Sequence, residues 1–220
     1  MLFRSSERSF EEETKLAGFA AAPVKNEGSA IAYDNAQEAF TARYTHETIA
    51  LAFSLTEEAV EDNLYDRLSA RYTKALARSM AQTKQIKAAA VLNGAFTTSI
   101  GGDGVALCAT NHPTLTGPNL SNTLATAADL SETSLEQALI DIAAFTDERG
   151  LKIAVQGLKL ILPKELQFTG DRILKSTLRV GTADNDINAI RNMGMVPQGY
   201  TINHFLTDPD RKSTRLNSSH

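Results

Sequence analysis

Residues 57–93 run for 37 positions without a glycine or a proline. No other stretch limits the possible folds as strongly. Ser54 and Glu57 have the spacing of a capping box, and Glu57, Glu58, Glu61 and Asp62 crowd the start. Arg67, Arg71, Lys74, Arg78, Lys84 and Lys87 follow, so acid precedes base along the helix dipole. Leu64, Leu68, Tyr72, Leu76 and Met80 form an apolar stripe at spacing four, which Ile86, Ala90 and Val91 continue. Asn93-Gly94 is a natural stop. The pattern predicts one helix of roughly 45–55 Å, the shorter figure if its first turn breaks near Asp62. An ordinary helix has about 11–12 residues. A rod this long spans a flat or elongated body and does not fit inside a small sphere.

The flanks alternate between strand and loop. Phe10 to Leu16 fits a short helix, and GFAAAPVKNEGSAIAYDN fits an extended arm. Phe40, Ala42 and Tyr44 alternate, then Ile49, Leu51, Phe53 and Leu55 alternate on the opposite parity. A phase slip of one residue moves side chains to the other face, which predicts two β segments with a bulge or turn at Thr45–Thr48. Beyond the rod, VALCAT reads as a short strand. A helix is expected from Thr133 to Arg149 with Leu135, Leu139, Ile142 and Phe145 inward. LKLILP reads as a buried strand, residues 164–176 as a helix, TLRVG as a strand, INAIRNM as a short helix and YTINHFL as a last strand. This alternation predicts a compact α/β or α+β lobe.

Bulk properties exclude several functions. The net charge is −4, without the basic footprint of a dedicated nucleic-acid binder. Cys108 is the only cysteine, so neither an internal disulfide nor a multi-cysteine zinc site can form. No run of about 18 apolar residues is present for a spanning helix. Cys108 and His112 stand four apart, a spacing open to a nucleophile and base, but without an orienting third group; Cys108 fits a small core residue better. GGDG at 101–104 lacks phosphate-loop spacing and reads as a turn. His46 has no metal-ligating neighbours in sequence, and His204 fits an exposed strand position. The basic residues of the rod are expected to form a solvated, salt-bridged face beside Glu61 and Asp66 rather than a DNA contact. Residue chemistry alone therefore points to a structural or interaction protein, with no catalytic, cofactor-binding or metal site.

The last eleven residues, 210–220, differ from the rest. Reverse translation of DRKSTRLNSSH gives a continuous run of a common short-read sequencing adapter. The segment is therefore expected to be a non-native tail standing in place of the true C-terminus, and is left out of the fold expectation.

ARYTHETIALAFSLTEEAVEDNLYDRLSARYTKALARSMAQTKQIKAAAVLN closely resembles the major capsid (head) protein of tailed bacteriophages. The similarity continues through GGDGVALCATNHPTLTG, SLEQALIDIAAFTDERGLKI and LPKELQFTGDRILKSTLRVGTADNDINAIRNMGMVPQGYTINHFLTD, covering about residues 9–208. The resemblance implies an α+β Hong Kong 97-type phage capsid fold, truncated at both ends. It implies a partial N-terminal arm at 1–27, an extended β loop at 28–55, a peripheral domain at 56–129 with its spine helix at 57–93, and a partial axial domain at 130–209. The implied function is that of a structural subunit which self-assembles into the icosahedral head shell around the phage genome, not an enzyme and without cofactors. The implied partners are copies of itself in pentamers and hexamers; scaffold, portal and decoration proteins; and packaged DNA, bound non-specifically; no membrane is involved. The implied location is the virion, after synthesis in the bacterial host cytoplasm. Arg43, Tyr44, His46 and Glu47 are expected at the subunit interface. The alternatives are an encapsulin-like compartment shell and, from another class, a cysteine-dependent hydrolase.

Overall fold

The computed structural model describes residues 8–61, 66–115, 117–179, 186–207 and 215–217. The chain opens with an antiparallel hairpin of β1 (Phe10–Ala17) and β2 (Gln37–Thr45). Helices α1 (Glu57–Glu61) and α2 (Asp66–Asn93) follow. The lobe then comprises α3 (Glu132–Ala143), β3 (Lys159–Leu162), a 3-10 turn (Lys164–Leu166), α4 (Gln167–Lys175), α5 (Ala189–Met193), β4 (Tyr200–Ile202) and β5 (Arg215–Asn217).

The rod's described residues are helical in α1 and α2. α2 alone holds 28 residues, about 42 Å of helix; residues 62–65, where the first turn was expected to break, lie outside the described residues. α2 buries little. Among its described side chains only Ala89 is fully buried, with Leu76, Met80, Thr83, Ala88, Leu92 and Asn93 half-buried. Ile86, Ala90 and Val91, expected to continue the apolar stripe, are exposed. The helix rests on the body along one side and leaves the other open. Its C-terminal end is fastened by one side chain: Asn93 Nδ2 donates to Phe205 O (3.0 Å), and its Oδ1 accepts from Thr207 N–H (3.3 Å).

The core lies in the lobe. Leu135 and Leu139 of α3 meet Leu160 and Leu162 of β3, Ile173 of α4, Ile190 of α5 and Val196. β3 sits between β4, parallel to it, and β5, antiparallel. Gly170 lets α4 lie directly on β3, since a Cβ there would come within 2.2 Å of Leu162 Cδ1. Asn188 is almost fully buried and fully used: it caps α5 by accepting from Arg191 N–H (3.1 Å) and donates to Ile173 O (2.6 Å). Tyr200 and Lys175 share Asp171, at 2.9 and 2.6 Å. Those two bonds hold the Asp171 carboxyl below its ordinary range.

Several local expectations are corrected. Phe10 to Leu16 is a strand, not a helix, because β2 supplies cross-strand partners that an isolated FEEETKL lacks. Among the described residues, Ile49 to Leu55 joins no sheet. It runs beside α2 instead, with the Phe53 and Tyr72 ring centroids 6.0 Å apart. The irregularity expected at Thr45–Thr48 lies inside β2, where Ala39 and Phe40 stand opposite Lys15. α3 starts one residue early, capped by Ser131 with Ser134, and ends at Ala143. The chain then folds back at Asp147–Gly150, where Asp147 Oδ1 accepts from the Arg149 and Leu151 N–H groups and Gly150 takes φ 80°. Among the described residues, VALCAT and TLRVG give single bridges, Ile100 to Ala106 and Leu178 to Ile187. The final strand keeps three of its seven expected residues. Within the expected tail, Arg215–Asn217 lies on the β3 edge. An unpaired edge offers its amides and carbonyls to any extended segment in reach.

Candidate assembly interface

The hairpin is the part of the molecule most exposed and least supported by its own core. Its pairs Glu12–Arg43 and Thr14–Thr41 share one face. Arg43 Nε donates to Glu12 Oε1 at 2.7 Å, and the guanidinium lies 4.5 Å above the Phe10 ring. The two threonine hydroxyls meet at 3.3 Å. This face fixes strand register without any buried apolar contact.

The hairpin and the segments flanking it are seated on the body at four places. At the first, Gly102 backs onto Ala42: a Cβ at residue 102 would stand 2.9 Å from Ala42 N. The turn carrying Gly102 is closed by Gly101 N–H to Val105 O (2.8 Å), with Gly104 at φ 78°. Asp103 stiffens it by meeting His112 Nδ1 at 2.6 Å and accepting from Val105 N–H at 3.2 Å. Burial raises the Asp103 pKa, but those two bonds outweigh it and hold the carboxyl below its usual value. At the second place, Lys15 Nζ approaches Glu148 Oε1 at 2.8 Å, with the lysine largely exposed and the glutamate side chain 4% exposed. At the third, Arg149 reaches Asn35 O (3.2 Å) and Asp34 Oδ1 (3.5 Å). Asp34 also accepts from Ala20 N–H at 2.8 Å, closing the base of the 18–36 loop. The Ala20 bond is the main reason its carboxyl sits below the ordinary value. At the fourth, Glu47 pairs with Lys87 of α2.

Beyond these anchors the extended segments carry large apolar side chains into solvent. Leu16, Phe19, Val24, Ile31, Tyr33, Tyr44, Leu51, Phe53 and Leu55 are all exposed, Val24 at 93% and Tyr33 at 97%. Isolated exposed apolar residues are normal on a protein surface, whereas large contiguous exposed patches are characteristic of interaction sites.

A family model described as phage capsid protein matches residues 19–214. The chain belongs to that family. The capsid protein also resembles the solved bacteriophage JBD30 capsid, with TM-score 0.68 at 11% identity over 92% of this chain and 88% of that one. A second structure, the JBD30 capsid decorated with minor capsid protein trimers, matches with TM-score 0.65 at 11% identity, over 92% and 87%. No curated protein matches in sequence. The fold is therefore the α+β phage capsid fold, and the protein is a structural subunit of the phage head shell.

The four expected interface residues divide in two. Arg43 and Glu47 are engaged within the chain, by Glu12 and Lys87. Tyr44 and His46 are exposed, the latter held by its backbone N–H to Ser9 O (3.1 Å). The pairing of His112 with Asp103 was missed at the sequence level, and it supplies the imidazole with an acidic partner nine residues upstream. Lys15, Asp34, Glu148 and Arg149 were missed too. Their partners lie more than a hundred residues away, and no periodicity encodes that. GGDG was the one visible signal, as a tight turn. Among the described residues no three His, Cys, Asp or Glu gather as a metal site, and no helix is long and apolar enough to cross a membrane.

Proposed function

We propose that this capsid protein assembles by laying its hairpin, with the extended segment that follows, across neighbouring copies of itself. The observation that carries this is the run of solvent-facing apolar side chains from Leu16 to Leu55 on segments without a core of their own. Arg43 and Glu47 set the shape and tilt of the hairpin; Tyr44 and His46 present themselves to the neighbour. In this reading α2 is the spine of a peripheral domain (56–129), residues 130–209 contribute to an axial domain, and 1–27 belong to an arm whose β1 stiffens the loop. Copies gather in pentamers and hexamers, where symmetry multiplies contacts that are individually weak. Scaffold, portal and decoration proteins meet the finished lattice in the virion, after synthesis in the host cytoplasm. The role is structural rather than catalytic.

Val24→Glu with Tyr33→Glu tests it. Both side chains stand almost wholly in solvent, so the change leaves the subunit fold intact. Closed particles, counted by sedimentation and electron microscopy, are expected to fall steeply. Unchanged particle yield would remove the hairpin from the interface.

A further inference from the structure

Asn93 ends α2, and Asn93-Gly94 is the only Asn-Gly pair in the chain. Such a pair carries its own chemistry. The backbone nitrogen that follows an asparagine can attack the side-chain amide carbon, and glycine, lacking a Cβ, obstructs that attack least. The structure has a use for both residues. Asn93 fastens α2 to the 203–207 segment, donating from Nδ2 to Phe205 O at 3.0 Å and accepting at Oδ1 from Thr207 N–H at 3.3 Å. Gly94 is buried, and a Cβ there would stand 2.8 Å from Ser99 Oγ, which itself donates to Val91 O. The Gly94 carbonyl accepts from the N–H groups of Thr97, Thr98 and Ser99 at 2.8–2.9 Å. The docked geometry also keeps the pair unreactive. Gly94 N–H is bonded to Ala90 O at 2.8 Å, and the Asn93 amide is held at both its oxygen and its nitrogen.

We propose that Asn93-Gly94 is a deamidation site gated by the docking of α2: closed while Asn93 holds the 203–207 segment, reactive when that end of the helix opens, and unable to redock fully once converted. In the opened end, Gly94 N gives its proton to solvent base and bonds to Asn93 Cγ. The Cγ–Nδ2 bond breaks, and the nitrogen takes a proton from solvent and leaves as ammonia. Water then opens the resulting cyclic imide at either carbonyl, leaving aspartate or isoaspartate at position 93. Nothing is oxidised or reduced, and water is the only co-reactant. The product is a carboxylate with no hydrogen to offer Phe205 O, so two acceptors face each other where a bond had been. Little else holds this end, since Ala89 is the only fully buried side chain among those described in α2. The step runs one way, and the converted fraction therefore records how often the end has opened. The inference belongs to the single chain and does not depend on how subunits pack.

Peptide mass spectrometry of the full chain, held in mildly alkaline buffer and sampled over time, tests it. The mass gain of an amide becoming an acid is expected at Asn93, at least about tenfold faster in the urea-unfolded chain than in the native one, because native conversion is confined to opened molecules. Leu206→Ala truncates a buried side chain between the two partners of Asn93 and should raise the native rate severalfold. Urea below the unfolding transition should do the same to the unaltered chain, which keeps the test alive if that variant misfolds. Asn93→Asp reproduces one product and should speed hydrogen exchange at the Gly94 amide by at least about fivefold. Equal conversion in the native and unfolded chains would overturn the proposal. So would a native rate that neither Leu206→Ala nor urea changes. Unaltered Gly94 exchange in Asn93→Asp would equally overturn it, by showing that the Asn93 amide does not hold the helix end.

Discussion

Lys15→Ala should release the hairpin from the body, and the structure sets the scale. At 2.8 Å and an effective dielectric near 20, the gross attraction between Lys15 and Glu148 is about 6 kcal/mol. Little of that survives as net stability, because the lysine is 59% exposed and water repays most of it; pairs exposed on both sides give about 0.2–1 kcal/mol. The asymmetry decides the outcome. Glu148 is 4% exposed on its side chain, and apart from Lys15 its carboxylate oxygens have no partner among the described residues. Removing Lys15 strands a buried acceptor, at about 1–3 kcal/mol. That corresponds to roughly 5- to 150-fold faster opening, read as hydrogen exchange at the β1 amides. Glu148→Gln leaves only a lysine that water can solvate, so it should cost less than Lys15→Ala. Adding Glu148→Gln to Lys15→Ala should recover part of the loss. Unchanged β1 exchange in Lys15→Ala, or a larger effect from Glu148→Gln alone, would refute the argument that a stranded carboxylate governs docking.

Two further outcomes follow from the same geometry. Leu160→Ala, at the centre of the core and fully buried, should lower global stability by about 2–5 kcal/mol in urea unfolding. The Asp34 and Asp103 carboxyls both sit below their ordinary 3.8. Their contribution is therefore complete above that value and is lost as the pH falls through the lowered values. Exchange at the hairpin base should accelerate on acidification below about pH 3.8, and Asp103→Asn should show a smaller acid response than the unaltered chain.

What could be read from the sequence followed the range of the interaction that decides each element. α2 and α4 are set by apolar spacing and by the absence of helix breakers over a few turns, and both appeared close to their expected places. β3 was visible because LKLILP is apolar except at Lys159 and ends at Pro163. β1 was not, because FEEETKL carries no alternating apolar pattern; its strand character comes from Thr41 and Arg43, about thirty residues on. Ile49 to Leu55 fails the other way. Its alternation is clear, but alternation says only that one face is covered, not that a strand lies alongside, and α2 covers part of it.

The hairpin seat was illegible for a related reason, and this bears on how the subunit works. Its anchors are single contacts: Ala42 against the Gly102 turn, Lys15 and the Asp34–Asn35 pair against the Asp147–Gly150 turn, and Glu47 against α2; none belongs to the apolar cluster of the lobe. A flap held by separate polar contacts can change its tilt by exchanging one of them without disturbing Leu135, Leu160 or Ile173. A flap packed into the core could not, since close-packed interiors resist continuous deformation. The division of contacts therefore separates a close-packed lobe from an arm whose seats can be changed one at a time.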